Sequence, residues 1–204
     1  MESIQQALTS ERGYLSPEHR KMLTEESGIS EEVIRSRGYW TATDPDELKE
    51  LGFAKSQRRA PALVLPVRGV EGEIRFYRIR PDDPRPNPKK PEKVYKYEQP
   101  FETPLALDIP LLAREGLSDR LRRLWIVEGE KKADALISQG EVAVALLGVW
   151  AWKRDDLLLP EWDYIPTIGR EILIAFDSDV ADNYQIRLAR QNLAETLSRR
   201  GGRA

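Results

Sequence analysis

Apolar residues in the second half of the chain come in short unbroken runs, not alternating ones. Leu124 to Val127, Val142 to Leu147 and Ile172 to Phe176 each read as a strand. Continuous apolarity marks strands covered on both faces, as in parallel sheets. Between the first two runs, Ala133, Leu136 and Ile137 recur at helical spacing, which predicts a helix over Lys131 to Gln139 stopped by Gly140. Ile186, Ala189, Leu193 and Leu197 mark the inner face of a longer helix, Ala181 to Arg199. Strand, helix, strand, loop, strand, helix is the order of a doubly wound α/β unit with right-handed crossovers.

The first half is patterned differently. Ser16 and Pro17 are an N-cap and first-position proline for a polar helix running to Glu26, and Ser30 opens a second helix, Glu31 to Arg37, ended by Gly38. Two helices joined so tightly resemble a DNA-reading helix-turn-helix, but no second basic helix face follows, so a packing role is favoured. Ala62 to Val67 and Ile74 to Ile79, separated by a turn around Gly69 to Gly72, predict an antiparallel hairpin. Arg80 to Pro91 holds five prolines and reads as an exposed loop, with another short strand over Lys93 to Tyr97. The expected organisation is a smaller α+β unit over residues 1–118, with a Pro-rich basic loop at about 80–95, followed by an α/β unit over 119–204.

Composition narrows the chemistry. Among 204 residues there is no cysteine, which excludes disulfides and thiolate metal sites, and a cytoplasmic location is expected. The N-terminus lacks a signal-peptide pattern, and no apolar run approaches the ~20 residues of a membrane span. The net charge of -2 means that nucleic-acid binding must come from charge sorted onto one region. Arg75, Arg78, Arg80, Arg85, Lys89, Lys90, Lys93 and Lys96 provide such a region, against only Asp82, Asp83 and Glu92. The lone His19, in a polar helix, reads as a solvated surface residue.

Three carboxylates stand just past the carboxyl ends of predicted strands, where open α/β sheets bind their ligands. Glu128 follows Leu124 to Val127, and Asp177 and Asp179 follow Ile172 to Phe176. Residues two apart on an extended segment point the same way, and neighbouring strands lie about 4.8 Å apart, so the three acids converge if the strands are adjacent. Pairwise repulsion on the order of 2 to 4 kcal/mol at an effective dielectric near 20 then demands a proton or a cation. An oxygen-only set points to Mg2+ or Mn2+ over zinc. Isolated acids after strands are often helix caps or surface charges, and an Asp-x-Asp pair alone is a weak signal. An EF-hand does not fit, because Ala181 takes its third ligand position and the central glycine is missing.

The series Glu128-Gly129, a helix ending in Gly140, Leu147-Gly148, then Phe176-Asp177-Ser178-Asp179 resembles the Toprim domain of bacterial primases, topoisomerases and some nucleases. The match spans about residues 122–204. Trp125 to Leu136 is similar to a Toprim-like subgroup of phage- and plasmid-type primase and primase-helicase proteins. Upstream, Gly28 to Ile34 and Leu65 to Arg68 with Lys96-Tyr97 look like the helix and small basic subdomain that precede Toprim in bacterial primases.

The resemblance implies a Toprim-type, Rossmann-like parallel sheet flanked by helices. It makes Glu128 an acid-base carboxylate or metal ligand and Asp177 and Asp179 ligands of Mg2+ (or Mn2+). It implies nucleotidyl transfer, with a single-stranded DNA template, nucleoside triphosphates and a replicative helicase as partners. Lys131, Lys132, Arg75, Arg78, Arg80 and Lys96 are the candidate nucleic-acid or nucleotide contacts. Trp150 and Trp152 would stack on bases or, the favoured reading, anchor their loop. Two departures stand out: Lys132 occupies a position where primases carry Asp, and the chain stops at Ala204 where Toprim would begin another strand. A fragment, or a reduced domain with weak or no activity alone, is therefore expected. Three readings stay open: a primase-type nucleotidyltransferase, a Toprim nuclease, and a non-catalytic nucleic-acid-binding module.

Overall fold

The computed structural model describes residues 13–177 and 183–204. Helix α1, Pro17–Lys21, is capped by the Ser16 hydroxyl and continues as a wider helical turn through Glu26. Helix α2 spans Glu31–Arg37, with Ser30 Oγ accepting from the Val33 amide at 3.3 Å. Strand β1 (Trp40–Ala42) and helix α3 (Pro45–Glu50) follow, the latter opened by a capping box of Asp44 and Glu47. Strands β2 (Ala62–Arg68) and β3 (Ile74–Pro81) form the expected hairpin, and β1 joins β2 to make a three-stranded antiparallel sheet in the order β1-β2-β3.

Two expectations are corrected here. His19 is not a surface residue: it is only 1% exposed, with Nδ1 2.8 Å from Thr41 Oγ1 and Nε2 2.8 Å from Asp82 Oδ1. The helix carrying it packs on β1, and two polar partners make its burial tolerable. The proline-rich stretch is not a plain loop. Strands β4 (Pro86–Asn87) and β5 (Lys90–Val94) pair as an exposed ribbon, so the strand placed at 93–97 lies a few residues earlier. Proline is compatible with a ribbon whose outer edges need no amide donor. Its base is anchored where Arg85 pairs with buried Glu98 at 2.7 Å and lies over the Tyr95 ring at 4.5 Å.

The remaining elements are β6 (Leu107–Asp108), the short helix α4 (Arg114–Leu117), β7 (Leu124–Glu128), α5 (Glu130–Ile137), β8 (Val142–Leu146), the two-residue strands β9 (Lys153–Arg154) and β10 (Leu157–Leu158), β11 (Ile172–Ala175) and α6 (Tyr184–Arg199). The four-stranded sheet runs β11-β7-β8-β6, with β11, β7 and β8 parallel and β6 antiparallel at the edge. Every residue of β8 is buried, as its unbroken apolar run requires. Ala189, Leu193 and Leu197 bury one face of α6. The predicted start of that helix, at 181, lies outside the described residues.

One core runs through both halves, from Leu23, Ile29 and Val33 to Leu124, Val144 and Trp162. The tight helix pair is thus a packing element, as favoured. Trp152 is buried and Trp150 packs on the same core, their rings stacked at 6.5 Å, so both anchor their loop.

A charged network crosses this core. Arg37 at the end of α2 donates to Asp108 on β6 at 2.6 Å and, through Nη2 and Nε, to Asp134 on α5 at 2.6 and 2.9 Å. Tyr39 Oη donates to Asp134 at 2.6 Å, and the Arg68 amide to Asp108 at 3.0 Å. The side chains of Arg37, Asp108 and Asp134 are at most 1% exposed. Burial pushes the Asp108 carboxyl up to about 6, against the pull of Arg37.

Candidate functional site

The parallel register decides what meets at the sheet edge. Val127 of β7 pairs with Ala175 of β11, so Asp177, two residues further, draws level with Gly129 and one step past Glu128. Glu128 and Asp177 therefore leave adjacent strand ends, and both line one cavity of roughly 320 Å3. The adjacency on which the carboxylate argument depended is present. Asp179 lies outside the described residues. Among the described residues, no three Asp, Glu, His or Cys side chains form a ready metal cluster.

Between strand and helix the chain turns at Gly129, whose φ of +89° is one that side-chain-bearing residues rarely adopt. That turn directs the first residues of α5 at the cavity. Lys132 pairs with Asp177, giving that carboxylate a counter-charge from within the protein. Lys131 extends to Ser27, with Nζ 3.1 Å from the hydroxyl. Partial burial holds its ammonium pKa down, and the nearby Arg80 charge adds to the effect.

The opposite wall comes from the N-terminal half. Arg78 on β3 reaches buried Glu130, its Nη1 lying 3.0 Å from each carboxylate oxygen, and its guanidinium lies 5.4 Å from the Tyr97 ring centre. The Tyr97 hydroxyl is held above its ordinary pKa by burial, then by the Glu130 charge. Lys96 is exposed at the rim. The lining thus has four cations, Arg78, Lys96, Lys131 and Lys132, against the three carboxylates Glu128, Glu130 and Asp177.

Of the predicted contact residues, Arg78, Lys96, Lys131 and Lys132 line this cavity, and Arg80 lies within electrostatic reach of it. Arg75 does not join them. It points into a second cleft, with Nη1 3.6 Å from Glu73 and 3.7 Å from Glu161. The strand register explains this: Val67 pairs with Phe76 but Arg68 with Ile74, so Arg75 is the extra residue of a bulge and is re-aimed away from the face that Arg78 and Arg80 share. Sequence reasoning passed over Glu130 and Tyr97 as site residues. The signals were an acid directly after Glu128-Gly129 and a tyrosine directly after Lys96.

Set against a metal, the described donors are Glu128 and Asp177, both hard oxygen ligands at the mouth of an open cavity. Mg2+ commonly takes one or two carboxylates and keeps water or phosphate oxygens for the rest, so this donor set fits it. The excess of cations on the other walls suits an anionic ligand bound beside that ion.

Residues 118–204 match a family model described as a domain of unknown function (DUF3854). No curated protein matches the chain. Solved structures do. The Aquifex aeolicus primase, comprising zinc-binding and RNA polymerase domains, superposes with a TM-score of 0.64 at 16% identity, covering 92% of this chain and 48% of that one. A DNA primase domain from Pseudomonas aeruginosa gives 0.58 at 21% identity, covering 93% and 64%. A DnaG primase catalytic domain bound to single-stranded DNA gives 0.55 at 21%, covering 87% and 58%. The chain thus spans about half to two thirds of the length of these structures. Its described residues take the fold of bacterial primase catalytic cores.

Proposed function

We propose that this chain is a Toprim-type, Mg2+-dependent phosphoryl-transfer domain acting on nucleic acid, and that its reaction is primase-type nucleotidyl transfer. The observation that carries the reading is the meeting of Glu128 and Asp177 at the ends of adjacent parallel strands, in a cavity that Arg78, Lys96, Lys131 and Lys132 also line. The fold it shares with primase cores agrees with this.

In this reading Glu128, Asp177 and Asp179 hold the metal, which when bound neutralises charge on phosphate oxygens. Lys131 and Lys132, at the start of α5, hold the phosphates together with the first-turn amides of the helix. Glu130 holds Arg78 in place, and Arg78 presents positive charge across the cavity from Glu128. Glu128 is the group placed to take the proton of an attacking hydroxyl. The exposed ribbon bearing Lys89, Lys90 and Lys93 carries the single-stranded template. Nucleoside triphosphates and a replicative helicase are the partners, in phage- or plasmid-type replication.

Primer synthesis with labelled nucleotides, single-stranded DNA and Mg2+ or Mn2+ tests this. Product from wild type, lost in Glu128→Gln and Asp177→Asn, is the expected result. Equal product from Asp177→Asn ends the proposal, and Glu128-dependent nicking of plasmid without synthesis replaces it with the nuclease.

The Lys132–Asp177 ion pair favours one other reading, in which the lysine stands permanently in the metal's place and the chain binds nucleic acid without turnover. Salt-dependent DNA binding that survives loss of all three carboxylates, with no product under any metal, supports it.

A further inference from the structure

The second cleft, roughly 630 Å3, lies between the turn of the β2–β3 hairpin and the β9–β10 hairpin and shares no lining residue with the catalytic cavity. Its floor holds Glu161, only 5% exposed, whose Oε2 is buried and has no hydrogen-bond partner. The other oxygen, Oε1, is 3.7 Å from Arg75, beyond hydrogen-bond range, and Arg75 is shared with Glu73. A buried carboxylate oxygen with no donor is costly, and a donor arriving with a ligand removes that cost. Around this acid the walls are apolar and open: Leu157 is 74% exposed, Tyr164 63% and Leu105 38%.

We propose that this cleft docks a peptide segment of a partner protein that presents one arginine or lysine flanked by aliphatic residues. The cation satisfies Glu161, and the aliphatic side chains cover Leu157, Tyr164 and Leu105. Charge complementarity selects this occupant. The lining has four acids (Glu71, Glu73, Asp155 and Glu161) against Arg75 and Arg154, which repels phosphate backbones. A metal ion is disfavoured because, among the described residues, no three acidic or imidazole side chains converge. Exposed large apolar side chains grouped around a buried charge are what a peptide anchor needs.

The probe is a fluorescein-labelled hexapeptide of alanine and leucine with a central arginine, compared with versions carrying citrulline or glutamate in its place. Binding to the full chain is read by fluorescence anisotropy. We expect saturable binding of the arginine peptide. The citrulline version, or the Glu161→Gln variant, should weaken it about tenfold or more, the worth of a charged hydrogen bond. Leu157→Asp, at an exposed position, should abolish it, whereas Asp177→Asn leaves it unchanged. Circular dichroism and melting of each variant separate lost binding from lost folding. Equal affinity for arginine and citrulline peptides overturns the proposal, as does binding indifferent to both Glu161→Gln and Leu157→Asp, or no saturable binding of the arginine peptide. A concentration-dependent dimer that Leu157→Asp dissolves overturns it in favour of a second copy of this chain.

Discussion

Replacing Arg37 by methionine is the sharpest test of how this fold is held. The substitution keeps an unbranched, space-filling side chain but leaves Asp108 and Asp134 facing a buried void of positive charge. Each retains one described donor, the Arg68 amide for Asp108 and the Tyr39 hydroxyl for Asp134. Breaking a buried ion pair from one side costs ~3–5 kcal/mol, a large part of the 5–15 kcal/mol that typically separates folded from unfolded domains. For a chain of this size that is roughly a 6 to 20 °C fall in melting temperature. The loss must also depend on pH. Asp108 already sits at about 6 in the folded protein, above its unfolded value of 3.8. Its contribution to stability is therefore full below 3.8 and is lost as pH rises through 6. Without Arg37 the folded value climbs further, so the variant should lose more stability between pH 5 and 7.5 than wild type does. Urea unfolding followed by circular dichroism at both pH values measures this. A loss under about 1 kcal/mol, equal at the two pH values, would refute the reasoning.

Three further outcomes are expected. Calorimetric titration with Mn2+ should show Asp177→Asn weakening affinity about tenfold or more, whereas Lys132→Met, by removing the internal competitor, tightens it severalfold. Gly129→Ala should cost about 1–3 kcal/mol in urea unfolding because of its backbone alone, whose φ of 89° and ψ of 146° lie in a region almost confined to glycine, since nothing lies within 4 Å of the added methyl. His19→Ala should lower stability by roughly 1–3 kcal/mol, since it empties the space of a buried ring and ends its hydrogen bonds to buried Thr41 and exposed Asp82, whereas a surface histidine would give no measurable change.

The parts legible in the sequence were those with a strong local pattern. The buried run of β8 and the capped, glycine-stopped helix Glu31–Arg37 were placed within a residue. The meeting of Glu128 with Asp177 followed from strand ends and parallel pairing. Strands β1 and β6, three and two residues long, are too short for any period to register, and β6 contains a buried aspartate that a polar pattern hides. Helix α3 was overlooked although Asp44 and Glu47 spell a capping box. Arg37 lies four residues after buried Val33, on the same helical face, yet a guanidinium is read as surface unless its partners are known. Those partners are 71 and 97 residues away, beyond local inference.

The stacked indoles of Trp150 and Trp152 give the molecule its own optical reporter. Trp150 is half-buried and follows Gly148, which lines the cavity of Glu128 and Asp177, and the Lys153 ammonium hovers 5.6 Å from its ring. Charge arriving in that cavity alters the field on this chromophore, so the share of the intrinsic emission that Trp150 contributes, among five tryptophans, responds to occupancy. Two rings 6.5 Å apart and only 24° from parallel also couple as excitons. A splitting in the far-ultraviolet dichroism would then disclose whether the loop keeps its shape when the cavity fills.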